Sequence, residues 1–278
     1  MRWLRFILSH SIFVALCAVA LCYQSHIVLH IRPDYLLYGF IFFATLCSYN
    51  FYWLAGKFHY RRQKSLASFI KTNTSYILVF ILASFALLYL ALKLSYLFPL
   101  MLVAGLLTFI YSTPLWNENA KAIAAKTGFF KTILLSLTWA LVTVIFPAQE
   151  LLHTDKTIIV ILLFIARFFF MLMLCLIFDM RDIHLDKMHG LHSLATDVNR
   201  YWLKVIMISS FCIYVIVGVL VRINLSDNKQ LIAHFVTGLI VWIIYRQSTK
   251  KQGYLFYYFL VDGLMLIAAL TTFIAAKV

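Results

Sequence analysis

From about residue 6 to residue 276 the sequence is a succession of long apolar runs. They fall near 6–24, 35–56, 74–93, 96–113, 128–147, 157–178, 203–222, 231–246 and 254–276. Each is close to the roughly 20 residues that a helix needs to cross about 30 Å of hydrocarbon. Backbone groups inside lipid find no water, so a spanning chain is restricted to helices or a closed barrel. Barrel strands alternate polar and apolar residues, and these runs do not. The expected fold class is therefore all-α: a polytopic membrane protein of nine transmembrane helices, with residues 1–278 as one transmembrane domain and no room for a separate soluble one. Composition agrees, with 64% apolar, 17% aromatic and 12% charged residues. Soluble domains are nearer half apolar and a quarter charged, which excludes a water-soluble enzyme.

The net charge of +14 would suit a nucleic-acid binder. In a chain of this kind, however, Lys and Arg mostly set topology, and no nucleic-acid partner is expected. Sixteen of them fall on the N-terminus and on the second, fourth, sixth and eighth connections, against six on the other side, with Lys131 and Arg167 inside runs. The positive-inside rule then puts the N-terminus in the cytoplasm, the C-terminus outside, and the protein in the cell (inner) membrane. The opening Met1-Arg2-Trp3-Leu4-Arg5 and Ala18-Val19-Ala20 resemble a signal peptide and its cleavage site. An uncleaved first span is preferred, because the alternation of charge needs it. The five cysteines all lie in apolar runs without a C-x-x-C pair, and read as small buried hydrophobes.

Acids are scarce, so their positions are informative. Three of the ten, Asp179, Asp182 and Asp186, fall within eight residues, in FDMRDIHLDKMHG after the sixth run. Spacings of three and four place them within about 60° of one another on one helical face. A bridging cation relieves the repulsion of carboxylates stacked this way. Mg²⁺ suits oxygen ligands and commonly joins one or two carboxylates to substrate phosphates. Arg181 and Lys187 flank the cluster and could hold phosphate oxygens. The alternative is a solvated helix whose Asp and Lys simply pair. Gly190 reads as the helix stop.

Asp179-x-x-Asp182-x-x-x-Asp186-Lys187-x-x-Gly190, closing on Ser193-Leu194, resembles the second aspartate-rich motif of the UbiA superfamily of intramembrane prenyltransferases. The resemblance implies nine helices around a central cavity, an inside N-terminus, and two cytoplasmic aspartate motifs after the second and sixth helices. It implies transfer of an isoprenyl group from a polyprenyl diphosphate to a lipophilic, often aromatic, acceptor, with Mg²⁺ holding the diphosphate. Asp179, Asp182 and Asp186 would then be the metal ligands, and Asp182 and Asp186 the catalytic pair. The first motif, N-D-x-x-D-x-x-x-D, is missing: alignment on Asn50 leaves Phe51, Leu54 and Phe58 at the acidic positions. Either Asn50 with Arg61, Arg62 and Lys64 takes the diphosphate charge, or the chain is a non-catalytic lipid-binding or scaffold protein on the same fold. Lys121, with Lys126, could also reach a diphosphate.

Within the runs, Arg167 lies near the midplane, and Asp262 is the one acid well inside a run, at a similar depth. A charge in such a position calls for a partner. The two are expected to pair, the alternative being that Arg167 snorkels or bonds backbone carbonyls; together they leave a transporter as a further class. Asn50 is expected to face the site rather than only bond a neighbouring helix. Phe168-Phe169-Phe170 reads as packing, with a prenyl channel as the alternative. The histidines His26, His30, His184, His189 and His192 sit at loop level, which argues against haem ligation.

Overall fold

The computed structural model describes residues 2–60, 66–112, 128–188, 194–225 and 227–277. The first apolar run is not one straight helix. α1 (Arg2–Ser9) stops at a break where Ser11 adopts a left-handed conformation (φ 61°), and α2 (Ile12–Leu29) restarts from it. The membrane-length segment is therefore Ile12–Leu29 rather than 6–24. It delivers Cys17, Leu21 and Cys22 to the core, so cleavage after Ala20 would remove part of that core.

The chain continues through α3 (Tyr35–Tyr60), α4 (Leu66–Thr72) and α5 (Thr74–Lys93). A 3₁₀ turn at Ser95–Leu97 leads into α6 (Phe98–Ser112). α7 (Gly128–Ala140) runs into a π-helical stretch, Leu141–Ile145. The long α8 (Thr157–Met188), the short α9 (Leu194–Asp197), α10 (Arg200–Leu225) and α11 (Asn228–Ser248) follow. A second π-helical stretch, Phe256–Val261, opens into α12 (Asp262–Lys277). Among the described residues there is no strand, and helix overlies every one of the apolar runs. Seven helices are long and apolar enough to cross a membrane; Phe129–Ile145 is a shorter apolar helix, and α3 is outside the seven.

Packing follows chain order. α2 lies against α3, α3 against α5, α6 against α7, α7 against α8, α8 against α10, α10 against α11 and α11 against α12; α12 returns to α2. Between α5 and α6 the link runs through the Ser95–Leu97 turn, and the helices present inner and outer faces. The outer face is apolar: Leu82, Phe85 and Leu92 on α5, and Leu106 and Phe109 on α6, are about 60–70% exposed, as residues meeting lipid chains would be. α8 is different. Every residue from Phe170 to Ile177 is buried, as expected of a helix that is apolar all round. Phe170 packs on Tyr214 of α10, which makes it a core residue rather than a channel wall. Of the cysteines, Cys17, Cys22 and Cys175 are buried as expected, Cys47 is half-buried and Cys212 is exposed on the lipid-facing side of α10.

Since lipid is as apolar as Leu, side-chain hydrogen bonds between helices carry specificity, at about 0.6 kcal/mol each and up to ~1.7. Gln24 Nε2 donates to Ala268 O and Thr272 Oγ1, both at 2.9 Å, and joins α2 to α12. Ser25 Oγ donates to Thr143 O at 2.7 Å, satisfying a carbonyl in the π-helical stretch after α7. Arg167 does not pair with Asp262. Its guanidinium donates to Leu21 O (3.2 Å), Gln24 Oε1 (2.8 Å) and Ser25 Oγ (3.4 Å), all on α2. Similar depth brought the two residues together in the sequence reading, but they face different helices. The arginine instead uses a backbone carbonyl and polar side chains next to it.

Candidate functional site

The aspartate segment is the end of α8 itself. At 32 residues and ~1.5 Å per residue, α8 is about 48 Å long and overshoots the hydrocarbon thickness. Its last turns leave the apolar core carrying Asp179, Arg181, Asp182 and then Asp186 and Lys187. One continuous helix through Met188 keeps the three acids on one face, as their spacing requires. Asp179 Oδ2 accepts a 2.6 Å hydrogen bond from Thr132 Oγ1 of α7. Both oxygens of Asp182 are taken by its neighbour: Arg181 Nε donates to Oδ1 at 2.7 Å and Nη2 to Oδ2 at 2.6 Å. The pair is part-buried, not a solvated loop contact.

Aromatic rings hold the arginine in place. Its guanidinium lies 5.0 Å from the Phe178 ring centroid, 5.1 Å from Tyr257 and 4.9 Å from Tyr258, the last two in the π-helical stretch before α12. Nη1 is buried without a hydrogen-bond partner. It is an orphaned cationic donor beside the Asp182 carboxylate, as a site for an anionic oxygen would have. Asp262 opens α12 just beyond those rings. It lies within electrostatic reach of Arg181, Cys17, Tyr49 and Cys175, which come from α8, α2 and α3. Tyr49 sits among these groups, edge-on to Trp139, and is 37% exposed.

A cation that the sequence reading left unassigned joins this end of the bundle. Lys131, one residue before Thr132, donates to Tyr52 Oη at 3.1 Å. It lies 5.6 Å and 5.2 Å from the centroids of Tyr52 and Tyr111, which stack on each other at 5.5 Å. The signal was a lysine inside an apolar run. The tyrosines carried none, being two among sixteen.

The remaining sequence candidates divide clearly. Asn50 is 1% exposed and its amide nitrogen is committed: Nδ2 donates to His10 O at 2.9 Å, bracing the break between α1 and α2, and to Leu46 O at 2.8 Å. Its Oδ1 is buried without a partner. Phe51 stacks on Phe80 of α5, and Phe58 meets the edge of Phe69 of α4, so two of the three positions where the first motif would have acids are helix-packing positions. Arg61, Arg62, Lys64, Lys121, Lys126 and Gly190 lie outside the described residues. The same holds for the side chains of Asp186 and Lys187, whose backbone is helical.

For a divalent cation, the described residues bring no group of three His, Cys, Asp or Glu together. Asp179 and Asp182, one turn apart, match the one or two carboxylates with which Mg²⁺ is usually held when substrate phosphates complete its shell. They do not make an all-protein cage.

A bundle of apolar helices, with carboxylates and cations gathered at one end, defines a polytopic membrane protein with a polar site at that end. Its fold is shared with a solved UbiA homolog. It is similar to the apo structure of a UbiA homolog from Aeropyrum pernix K1, over 95% of this chain and 97% of that one, with a TM-score of 0.67 at 11% sequence identity. No protein-family model matches the sequence, and neither does any curated protein.

Proposed function

We propose that this protein is an integral-membrane prenyltransferase that moves an isoprenyl group from a polyprenyl diphosphate to a lipophilic, possibly aromatic, acceptor. It would work in the cell inner membrane with the aspartate end facing the cytoplasm. The observation that carries the reading is the Asp179–Arg181–Asp182 cluster on α8, at the mouth of a UbiA-type bundle, with Arg181 Nη1 lacking an acceptor.

The chemistry follows from what the residues offer. Transfer requires the allylic C–O bond to ionise, so negative charge develops on the diphosphate oxygens and positive charge on the allyl group. Fixed donors aimed at the leaving oxygens lower that barrier. Arg181 supplies one such donor, and Lys131 and Lys187 are the further cations of this end. When bound through Asp179, Asp182 and Asp186, Mg²⁺ would supply Lewis-acid neutralisation of the leaving group. The rings of Tyr49, Tyr257 and Tyr258 suit the allylic cation, since aromatic faces attract positive charge. The apolar bundle of helices keeps water from that cation.

A second reading has an observation in its favour: Phe51 and Phe58 stand packed where the family's first motif has acids. On that reading the fold is kept as a lipid-binding or scaffold protein without turnover. Incubation of the purified chain with radiolabelled farnesyl or geranylgeranyl diphosphate, with and without Mg²⁺, and extraction of labelled lipid separates the two. Product formation lost in Asp182→Ala, at unchanged thermal stability, supports the transferase. Saturable diphosphate binding with no product in any acceptor mixture supports the second reading. Turnover unaffected by Asp182→Ala refutes the site.

A further inference from the structure

Away from the aspartate end, α2, α8, α10, α11 and α12 surround a small interior cavity of about 30 Å³, lined by Gln24, Arg167, Tyr214, Gly218, Arg222 and His234 among others. Arg167 is twelve residues before Asp179 on α8, about 18 Å along its axis, and Arg222 lies in the last turn of α10, so this cavity is separate from the site described above. Both arginines are only 4% exposed, and each lies within electrostatic reach of the other. Arg167 is held by its bonds to α2. Arg222 is not: no hydrogen bond is formed by its guanidinium among the described residues, and its Nε is buried without a partner.

Guanidinium groups do not shed their charge in proteins, so two of them at one buried place call for a counter-charge. The protein supplies little. The acid in reach of Arg222 is Asp227, whose Oδ1 already caps α11 by accepting from Gln230 N at 3.0 Å. His234 donates through Nε2 to Tyr214 O at 3.0 Å and adds no negative charge. Glycine at position 218 lets the His234 ring take its place at this cavity: a Cβ there would stand 1.8 Å from His234 Nε2.

We propose that this cavity is a second binding site, for a compact oxyanion of the phosphate type, with Arg222 as its principal ligand and Arg167 as the supporting cation. Planar guanidinium forks match phosphate oxygens. The free space corresponds to roughly two waters, room for one or two oxygens of such a group at the guanidinium forks and not for an acyl chain. The same chemistry is offered by free phosphate and by the headgroup of an anionic phospholipid reaching in from the adjoining leaflet.

The test uses the full chain purified in neutral detergent and phosphate-free buffer. One arm titrates inorganic phosphate and follows heat and melting temperature. The other reconstitutes the protein in phosphatidylcholine vesicles with and without phosphatidylglycerol and measures retained lipid by native mass spectrometry. Saturable phosphate binding identifies the free ion as occupant, and selective retention of phosphatidylglycerol identifies the headgroup. In either case Arg222→Gln weakens binding at least about tenfold, and Arg222→Lys restores part of it. Wild-type protein indifferent to both probes overturns the proposal whatever the variants do, as does undiminished binding by a folded Arg222→Gln.

Discussion

Asn50 is where a structural and a catalytic role predict opposite outcomes, and Asn50→Asp is the substitution that separates them. The side chain is 1% exposed and gives its amide protons to His10 O and Leu46 O, at 2.9 and 2.8 Å. A carboxylate in the same place has no proton to give, so two oxygen–oxygen contacts at hydrogen-bond distance replace two bonds. The interhelical bond alone is worth about 0.6–1.7 kcal/mol. An uncompensated buried charge adds about 3–5 kcal/mol. Asn50→Ala removes the bonds without adding the charge, and should cost about 1–2 kcal/mol. For a chain of this size a kcal/mol shifts the midpoint by about 2–4 °C. The expected order is wild type, then Asn50→Ala lower by about 2–8 °C, then Asn50→Asp lower by 8 °C or more, roughly, or not folded at all. Tryptophan fluorescence during thermal unfolding in detergent reads this directly. If Asn50 instead serves the diphosphate site, an acid there adds an oxygen ligand and should strengthen Mg²⁺-dependent binding. An Asn50→Asp protein that melts within about one degree of wild type, with tighter diphosphate binding, would refute the bracing role.

Three other outcomes follow from the packing. Ser11→Gly should raise stability by up to about 1 kcal/mol, since the left-handed φ of 61° costs an L-residue ~1–2 kcal/mol and glycine gives back only part of that as chain entropy; an unchanged midpoint would argue against the break. Gly218→Ala should cost about 1–3 kcal/mol by driving a methyl into the His234 ring, and His234→Ala in the same protein should recover much of it. The double exchange Arg167→Asp with Asp262→Arg should not restore the expression lost in either single variant, because Arg167 is bonded to α2; recovery would show that the two sites meet.

The architecture was legible because its cause is one-dimensional. Lipid thickness sets run length, and every expected run is helical. The aspartates were legible for the same reason: a helix converts spacings of three and four into a shared face. What failed was partner choice, which depends on rotation about the helix axis and not on depth. Arg167 and Asp262 matched in depth, yet Arg167 turned to Gln24 and Ser25 on α2. Asn50 was read as a site residue because its position matched a motif. The break at Ser11 that leaves His10 O available to it is a backbone event that no periodicity announces. Lys131 was visible as an intramembrane cation, but its companions Tyr52 and Tyr111 come from two other helices and acquire meaning only once those helices pack together.

The substitution of Phe for acid on α3 bears on how a diphosphate would be held under the proposed function. A site lined by two acidic motifs is strongly negative when empty and must recruit cations before it accepts an anion. Here α3 contributes tyrosines instead of carboxylates: Tyr52 accepts from Lys131, while on α8 Arg181 pairs with Asp182. With Arg181 and Lys131 at the same end, the empty site is less negative than one lined by two acidic motifs. Fixed guanidinium and ammonium groups then carry part of the neutralisation that metal ions would otherwise provide, without the need to recruit them from solution. The dependence of diphosphate binding on Mg²⁺ should accordingly be shallow. Mg²⁺ should act on the ionisation step more than on affinity, because that step is where the leaving oxygens gain charge. Binding that vanishes altogether without the metal would show that Arg181 and Lys131 do not share this work.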